Sequence, residues 1–163
     1  MLGYWDIRGL AQNIRLQLAY HGINFENKMY PTTEDVSSRD VWFNGDKFNL
    51  GLDFPNLPYF IDTDGHKMTE TFAIHEYLAD KYAPDLNGRT PEERAKVLML
   101  KGVLWDIKKA VTGPMYSGEK TAEEIVAMAV EKLQSIVTYM GENSFLMGDY
   151  VTYIDFFFYE FVQ

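Results

Sequence analysis

The sequence predicts an α/β module followed by an all-α segment, and three observations carry that expectation. Short apolar runs alternate with helical periodicity over residues 1–83. Proline, asparagine and glycine cluster in Pro84-Asp-Leu-Asn-Gly-Arg89, the mark of a linker. Beyond it, three capping boxes open three helices with no strand signal between them. The predicted organisation is a module over 1–83, a linker over 84–89 and a helical domain over 90–163.

Met1 to Trp5 reads as a short buried strand and Asp6-Ile-Arg-Gly9 as a loop. Leu10 to Tyr20 carries Leu10, Ala11, Ile14, Leu18 and Ala19 on one helical face, and Gly22 supplies the C-terminal stop. Ile23 to Tyr30 follows at the spacing of a βαβ unit, which implies parallel pairing with a right-handed crossover. Pro31 to Leu50 is polar and turn-rich, with at most a short helix around Ser38 to Phe43. The whole module reads β-α-β-α-β-β-α, its last helix running from Phe72 to Tyr82.

The stretch Gly51 to Thr71 organises the rest. Pro55 and Pro58 bracket Asn56 and Leu57, and Pro58 leads into the strand Tyr59-Phe60-Ile61, where a missing donor at the first residue is tolerated. The Leu57–Pro58 bond is a candidate for the cis form. Asp64-Gly65 is a hairpin turn, His66 to Met68 the return strand, and Thr69 or Thr71 a helix cap with Glu70 at the entrance. This places the backbone of Leu57 opposite a helix N-terminus with free N–H groups and a hydroxyl. Such a place suits a small extended peptide carrying a carboxylate.

In the helical segment Thr90-Pro-Glu-Glu93 begins a helix to about Val111, broken at Gly113-Pro114. Thr121-Ala-Glu-Glu124 opens another to about Met140, stopped by Gly141, and Thr152-Tyr-Ile-Asp155 a third, with Val151 and Phe156 as a hydrophobic staple. Phe156-Phe-Phe-Tyr-Glu-Phe-Val is apolar nearly all round, as in a helix buried on every side, yet Gln163 follows at once. The expectation is a shortened chain, or one whose partner covers that helix.

Composition narrows the chemistry. A formal charge of −9 over 163 residues argues against nucleic acid or an anionic membrane surface as partner. The absence of cysteine excludes disulfides, thiolate metal sites and a cysteine nucleophile, hence a thiol–disulfide oxidoreductase. No signal peptide precedes Asp6 and Arg8, and no apolar run is long enough to span a bilayer, so a cytoplasmic protein is expected. His21, His66 and His75 lack ligand spacing, and capping, turn or helix-surface roles are expected for them. Asp6, Asp53 and Asp62 read as loop or turn residues, the methionines as core filler, and no phosphate-binding glycine loop appears.

Two longer motifs go further. Tyr4-Trp5-Asp6-Ile7-Arg8-Gly9-Leu10, together with Lys47-Phe-Asn-Leu-Gly-Leu-Asp-Phe-Pro-Asn-Leu-Pro58, resembles the mu-class glutathione S-transferases. Thr152-x-x-Asp155 after Gly148 matches the family's central-helix capping motif, so the likeness spans the whole chain. It implies a thioredoxin-like N-terminal domain, then the start of a helical domain. It also implies an enzyme joining glutathione to hydrophobic electrophiles as a homodimer, with no metal. Tyr4 would be the tyrosine that donates to the glutathione sulfur. A free thiol has a pKa of about 8.5. A hydrogen bond to a charged acceptor contributes roughly 1.5–3 kcal/mol, or about one to two pKa units.

The resemblance assigns Trp5, Leu10, Arg39, Trp42 and Lys47 to the glycine end and pocket walls, with Lys47 and the Trp42 indole N–H reaching the glycyl carboxylate. Asn56, Leu57 and Pro58 would serve the cysteinyl backbone, and Glu70 and Thr71 the γ-glutamyl group. Glu-Thr stands where the family usually has Gln-Ser. One extra residue lies around Asn44-Gly-Asp46, between Trp42 and Lys47. Asp106 matches the aspartate that reaches the neighbouring subunit's γ-glutamyl ammonium. Phe54 matches the aromatic that plugs into the partner's helical domain; its other reading is a buried loop anchor within one subunit. Tyr116 falls where a second tyrosine assists the electrophile, just after the Gly113-Pro114 break. The competing expectation is a non-catalytic relative, a ligand carrier or structural protein, or a truncated inactive product.

Overall fold

The computed structural model describes residues 1–32 and 39–163, and these form two compact units, Met1–Ala83 and Pro84–Gln163. Of the short helix expected around Ser38 to Phe43, Ser38 lies outside the described residues.

The first unit is a four-stranded mixed sheet with helices. Strands β1 (Leu2–Trp5), β2 (Asn27–Tyr30), β3 (Tyr59–Ile61) and β4 (Lys67–Thr69) lie in the order β2-β1-β3-β4. Only the β1–β2 pair is parallel, in the register Leu2↔Asn27 to Trp5↔Tyr30. β1, flanked on both sides, is apolar without alternation, as a central strand must be. Gly3 is required there: it lies opposite Tyr59, and a Cβ would stand 2.1 Å from that ring. β2 is shorter than the predicted Ile23–Tyr30. Its ladder can be no longer than β1, and Ile23 and Phe25 pack on the core from the connecting loop instead.

Helix α1 is Gln12–Tyr20, two residues later than predicted, because Leu10 has its backbone N–H and carbonyl engaged elsewhere. Gly22 at φ 66 ends it, with the Ile23 N–H bonded to the Leu18 carbonyl at 3.0 Å. A π-helical turn, Val41–Asp46, leads into the short α2, Lys47–Asn49. Helix α3, Thr71–Tyr82, packs on α1, burying Ile14, Leu18, Ile74 and Leu78 beside Leu2 and Tyr59.

Two expectations are corrected here. His75 is fully buried rather than on a helix surface: its ring nitrogens meet the side-chain oxygens of Gln17 and Asn13, the latter at 3.0 Å, tying α3 to α1. Loss of solvation pushes its pKa down to about 3. Asp62 is a buried ion-pair anchor rather than a plain turn residue, accepting from Lys81 (2.7 Å) and Tyr77 (2.6 Å). Burial pushes its carboxyl up, but those bonds and the Thr63 N–H outweigh that and hold it below the usual range.

The second unit contains α4 (Pro91–Ser117), α5 (Ala122–Met140) and α6 (Tyr153–Val162). The capping boxes at Thr90/Glu93 and Thr121/Glu124 are fully formed. At α6 the Asp155 carboxylate accepts the N–H and hydroxyl of Thr152 and, with its other oxygen, the Leu146 N–H at 2.8 Å. α4 does not stop at Val111. It runs through Gly113 and Pro114 to Gly118, whose αL conformation (φ 70) closes the helix. In this last turn proline forfeits one backbone bond, to the Ala110 carbonyl, and the rest of the turn continues. α6 is buried only in part, as expected for it. Tyr153, Ile154 and Phe157 are buried, whereas Tyr159 and Val162 are exposed beside a cavity of about 330 Å³ lined by Met140, Phe145, Val151 and Phe156.

Candidate functional site

The peptide unit of Leu10 is the hub of the site. Its N–H donates to the Tyr4 hydroxyl oxygen at 3.1 Å, and its carbonyl accepts from the Thr71 hydroxyl at 3.3 Å. Three sequence-distant pieces meet there: the middle of β1, the loop before α1 and the first residue of α3. Tyr4 is 6% exposed and Thr71 5%. A hydroxyl that accepts a hydrogen bond is polarised and becomes a better donor. The loop Asp6–Gly9 closes over the ring: Gly9 has φ +43, and a Cβ there would stand 2.7 Å from the Tyr4 hydroxyl.

Next to Thr71, Glu70 has the backbone of no ordinary L residue, φ 74 and ψ 116. A strained position of this kind costs on the order of 1–3 kcal/mol and is held only where its surroundings dictate it. Glu70, not Thr69 or Thr71, is the N-cap of α3, and its side chain makes no cap bond. The Glu70 carboxylate instead accepts from the Asn56 amide at 3.4 Å. The Asn56 side-chain oxygen in turn accepts the Leu57 N–H at 2.9 Å, directly before the cis Leu57–Pro58 bond. Tyr4, Leu10, Thr71, Glu70, Asn56 and Leu57 thus form one continuous chain of covalent and hydrogen-bonded neighbours.

A second group surrounds the π turn. Trp5 packs on Phe43 at 5.7 Å between ring centroids, and the Lys47 ammonium lies 5.6 Å from the Phe43 centroid. Arg39 is exposed. Trp42 is a core residue, 3% exposed, stacked on Tyr59 at 6.0 Å and meeting the Tyr30 edge at 5.5 Å. Between Trp42 and Lys47 the chain forms a π turn, whose backbone bond spans one more residue than an α-helical one. Asp46 ends that turn and accepts from Tyr30 at 2.6 Å and Lys28 at 2.5 Å.

Phe54 is 80% exposed, which overturns the buried-anchor reading. In the second unit, Asp106 faces solvent in an ion pair with Lys109 at 3.1 Å, and Tyr116, in the last turn of α4, is 77% exposed. The expectations passed over Gly9 and Asp46. For Gly9, the signal was a glycine immediately before a predicted helix; for Asp46, an acid inside the extra residue's segment. Among the described residues no cluster of three histidines or acids is placed to hold a metal, and no helix is long and apolar enough to cross a membrane.

The first unit is therefore a thioredoxin-like domain with a strand-borne tyrosine facing a helix N-terminus, and residues 1–80 match the glutathione S-transferase N-terminal domain. The chain belongs to the glutathione S-transferase family, and its relatives place it in the mu class. A glutathione S-transferase of Mesocricetus auratus is 43% identical over 98% of this chain and 72% of its own length. One from Dermatophagoides pteronyssinus is 41% identical over 99% and 74%. The class-mu 26 kDa isozyme 51 of Fasciola hepatica is 40% identical over 98% and 70%. The fold is also that of the monomeric Na-GST-3 from Necator americanus, with a TM-score of 0.74 at 23% identity over 93% of this chain and 73% of that one.

Proposed function

We propose that the chain is a glutathione transferase that conjugates the glutathione thiolate to hydrophobic electrophiles. The observation that carries the reading is the Leu10 peptide unit held between the hydroxyls of Tyr4 and Thr71. It sets a phenol and a helix N-terminus around one loop, as a tripeptide with a central thiol and a terminal carboxylate requires. The α-carboxylate of the γ-glutamyl group lies over the α3 N–H groups beside Thr71, where the helix dipole favours an anion. Glu70 takes its ammonium, and Asn56, Leu57 and Pro58 serve the cysteinyl backbone. Trp5, Leu10, Arg39 and Lys47 wall the glycine end, with Lys47 facing its carboxylate, while Trp42, expected there too, backs the π turn from the core.

Tyr4 donates to the sulfur, which lets the thiol lose its proton to solvent near neutral pH. The thiolate forms the bond to the electrophilic carbon, and the leaving group or displaced electron pair departs from that carbon. Tyr116 is assigned to the electrophile. The protein works as a cytoplasmic homodimer, with Phe54 entering the partner's helical domain and Asp106 serving the partner's tripeptide. The 80% exposure of Phe54 supports this, as do the exposed Leu98, Val103, Val126 and Val130 of α4 and α5. The Asp106–Lys109 pair is exposed and is readily exchanged for another cation.

Ultraviolet absorbance of bound glutathione thiolate tests the reading. Wild type forms thiolate near neutral pH, and Tyr4→Phe raises the bound thiol's pKa by about one to two units and slows conjugation at pH 7 by about 8- to 25-fold. No thiolate in wild type, or an unchanged rate in Tyr4→Phe, overturns it.

A further inference from the structure

π-helical turns are rare and occur mostly as single-turn insertions, frequently at functional sites. In Val41–Asp46 the defining bond runs from the Lys47 N–H to the Trp42 carbonyl. It sets the backbone of Lys47 one turn beyond that of Trp42. In an α-helix, residues five apart would point about 140° away from each other. The turn is fastened through Asp46. One carboxylate oxygen accepts from Tyr30 at 2.6 Å and from Lys28 at 2.5 Å, both on β2. The Tyr30 hydroxyl lies 2.9 Å from that of Tyr59, whose ring stacks on Trp42. Asp46, Tyr30, Tyr59 and Trp42 thereby close a ring, with one end of the π turn tied by charge and the other by aromatic packing.

We propose that Asp46 is a positioning residue for glutathione, holding the π turn against β2 so that Lys47, the residue directly after it, faces the glycyl carboxylate. It acts through Lys47 and does not touch the tripeptide, and the inference rests on the proposed conjugation reaction. The test is steady-state kinetics with glutathione and an activated aryl chloride. Asp46→Ala raises the KM for glutathione about tenfold, while kcat and the KM for the aryl chloride stay within about twofold. Asp46→Glu restores most of the loss. Asp46→Asn keeps an acceptor for Tyr30 but loses the ion pair, and raises the glutathione KM by about two- to threefold; it decides the matter should the alanine variant fail to fold. An unchanged glutathione KM in Asp46→Asn and in any folded Asp46→Ala, an equal loss in kcat, or no recovery in Asp46→Glu overturns the assignment. Absence of turnover in wild type overturns the conjugation reading instead, so the two failures are distinguishable.

Discussion

Gly9→Ala is the sharpest probe of the site, because it adds one methyl group at the phenol assigned to the chemistry. Gly9 sits at φ +43, where an L residue pays roughly 1–2 kcal/mol. Its new Cβ would also lie 2.7 Å from both Cε1 and the hydroxyl of Tyr4, against about 3.5–4.0 Å for an ordinary carbon contact. Two relaxations are open. If the loop gives way, the Leu10 N–H leaves the Tyr4 hydroxyl and a hydrogen bond contributing about 0.5–1.5 kcal/mol is lost. If the ring gives way, the hydroxyl moves off the sulfur position. With the loop relaxation the total destabilisation is about 1.5–3.5 kcal/mol. Urea melts give that figure, and an absorbance titration of bound glutathione gives the thiol pKa, which should rise towards the free value of about 8.5. A variant within 0.5 kcal/mol of wild type and with an unshifted thiol pKa would refute the close packing of this loop on Tyr4.

Three further outcomes are expected. His75 is buried neutral with its pKa pushed down to about 3, so protonation favours the unfolded chain. Its contribution is complete above the ordinary histidine pKa of about 6.5 and is lost as pH falls towards 3, about 3 kcal/mol between pH 6.5 and 4. His21, also lowered by burial, acts in the same direction, whereas the depressed Asp62 costs stability only below the ordinary carboxylate pKa of about 3.9. A stability curve from urea melts that is flat from pH 7 to 4 would contradict this. Asp155→Ala strips the acceptor from Leu146 and Thr152 at the start of α6 and should cost about 2–3 kcal/mol, read from thermal melts with helix content by circular dichroism. Thr71→Val, which removes the hydroxyl bonded to the Leu10 carbonyl, should weaken glutathione binding about three- to tenfold in a calorimetric titration; unchanged affinity would detach Thr71 from the site.

Features whose causes lie within a few residues are legible in the sequence. The capping boxes at Thr90 and Thr121, the Gly22 stop, the Asp64-Gly65 turn and the strand after Pro58 form where expected, because each is a bond between near neighbours. The two motifs around Tyr4 and Lys47–Pro58 were sufficient to name the family. Errors fell where distant partners compete. α1 starts late because Tyr4 and Thr71 hold both polar backbone groups of Leu10, and β2 is short because β1 offers only four partners.

The sequence by itself determined the alternation of elements, their caps and stops, and the residues proposed for the glutathione site. Only the tertiary structure decided the positive φ of Glu70, the π turn fastened by Asp46, the burial of His75 and the approach of Gly9 to the phenol. Propensity acts on residues within a turn of one another. These contacts instead span separations such as the 61 residues from Leu10 to Thr71 and the 62 from Asn13 to His75, and they form only once the sheet and its helices have brought those segments together.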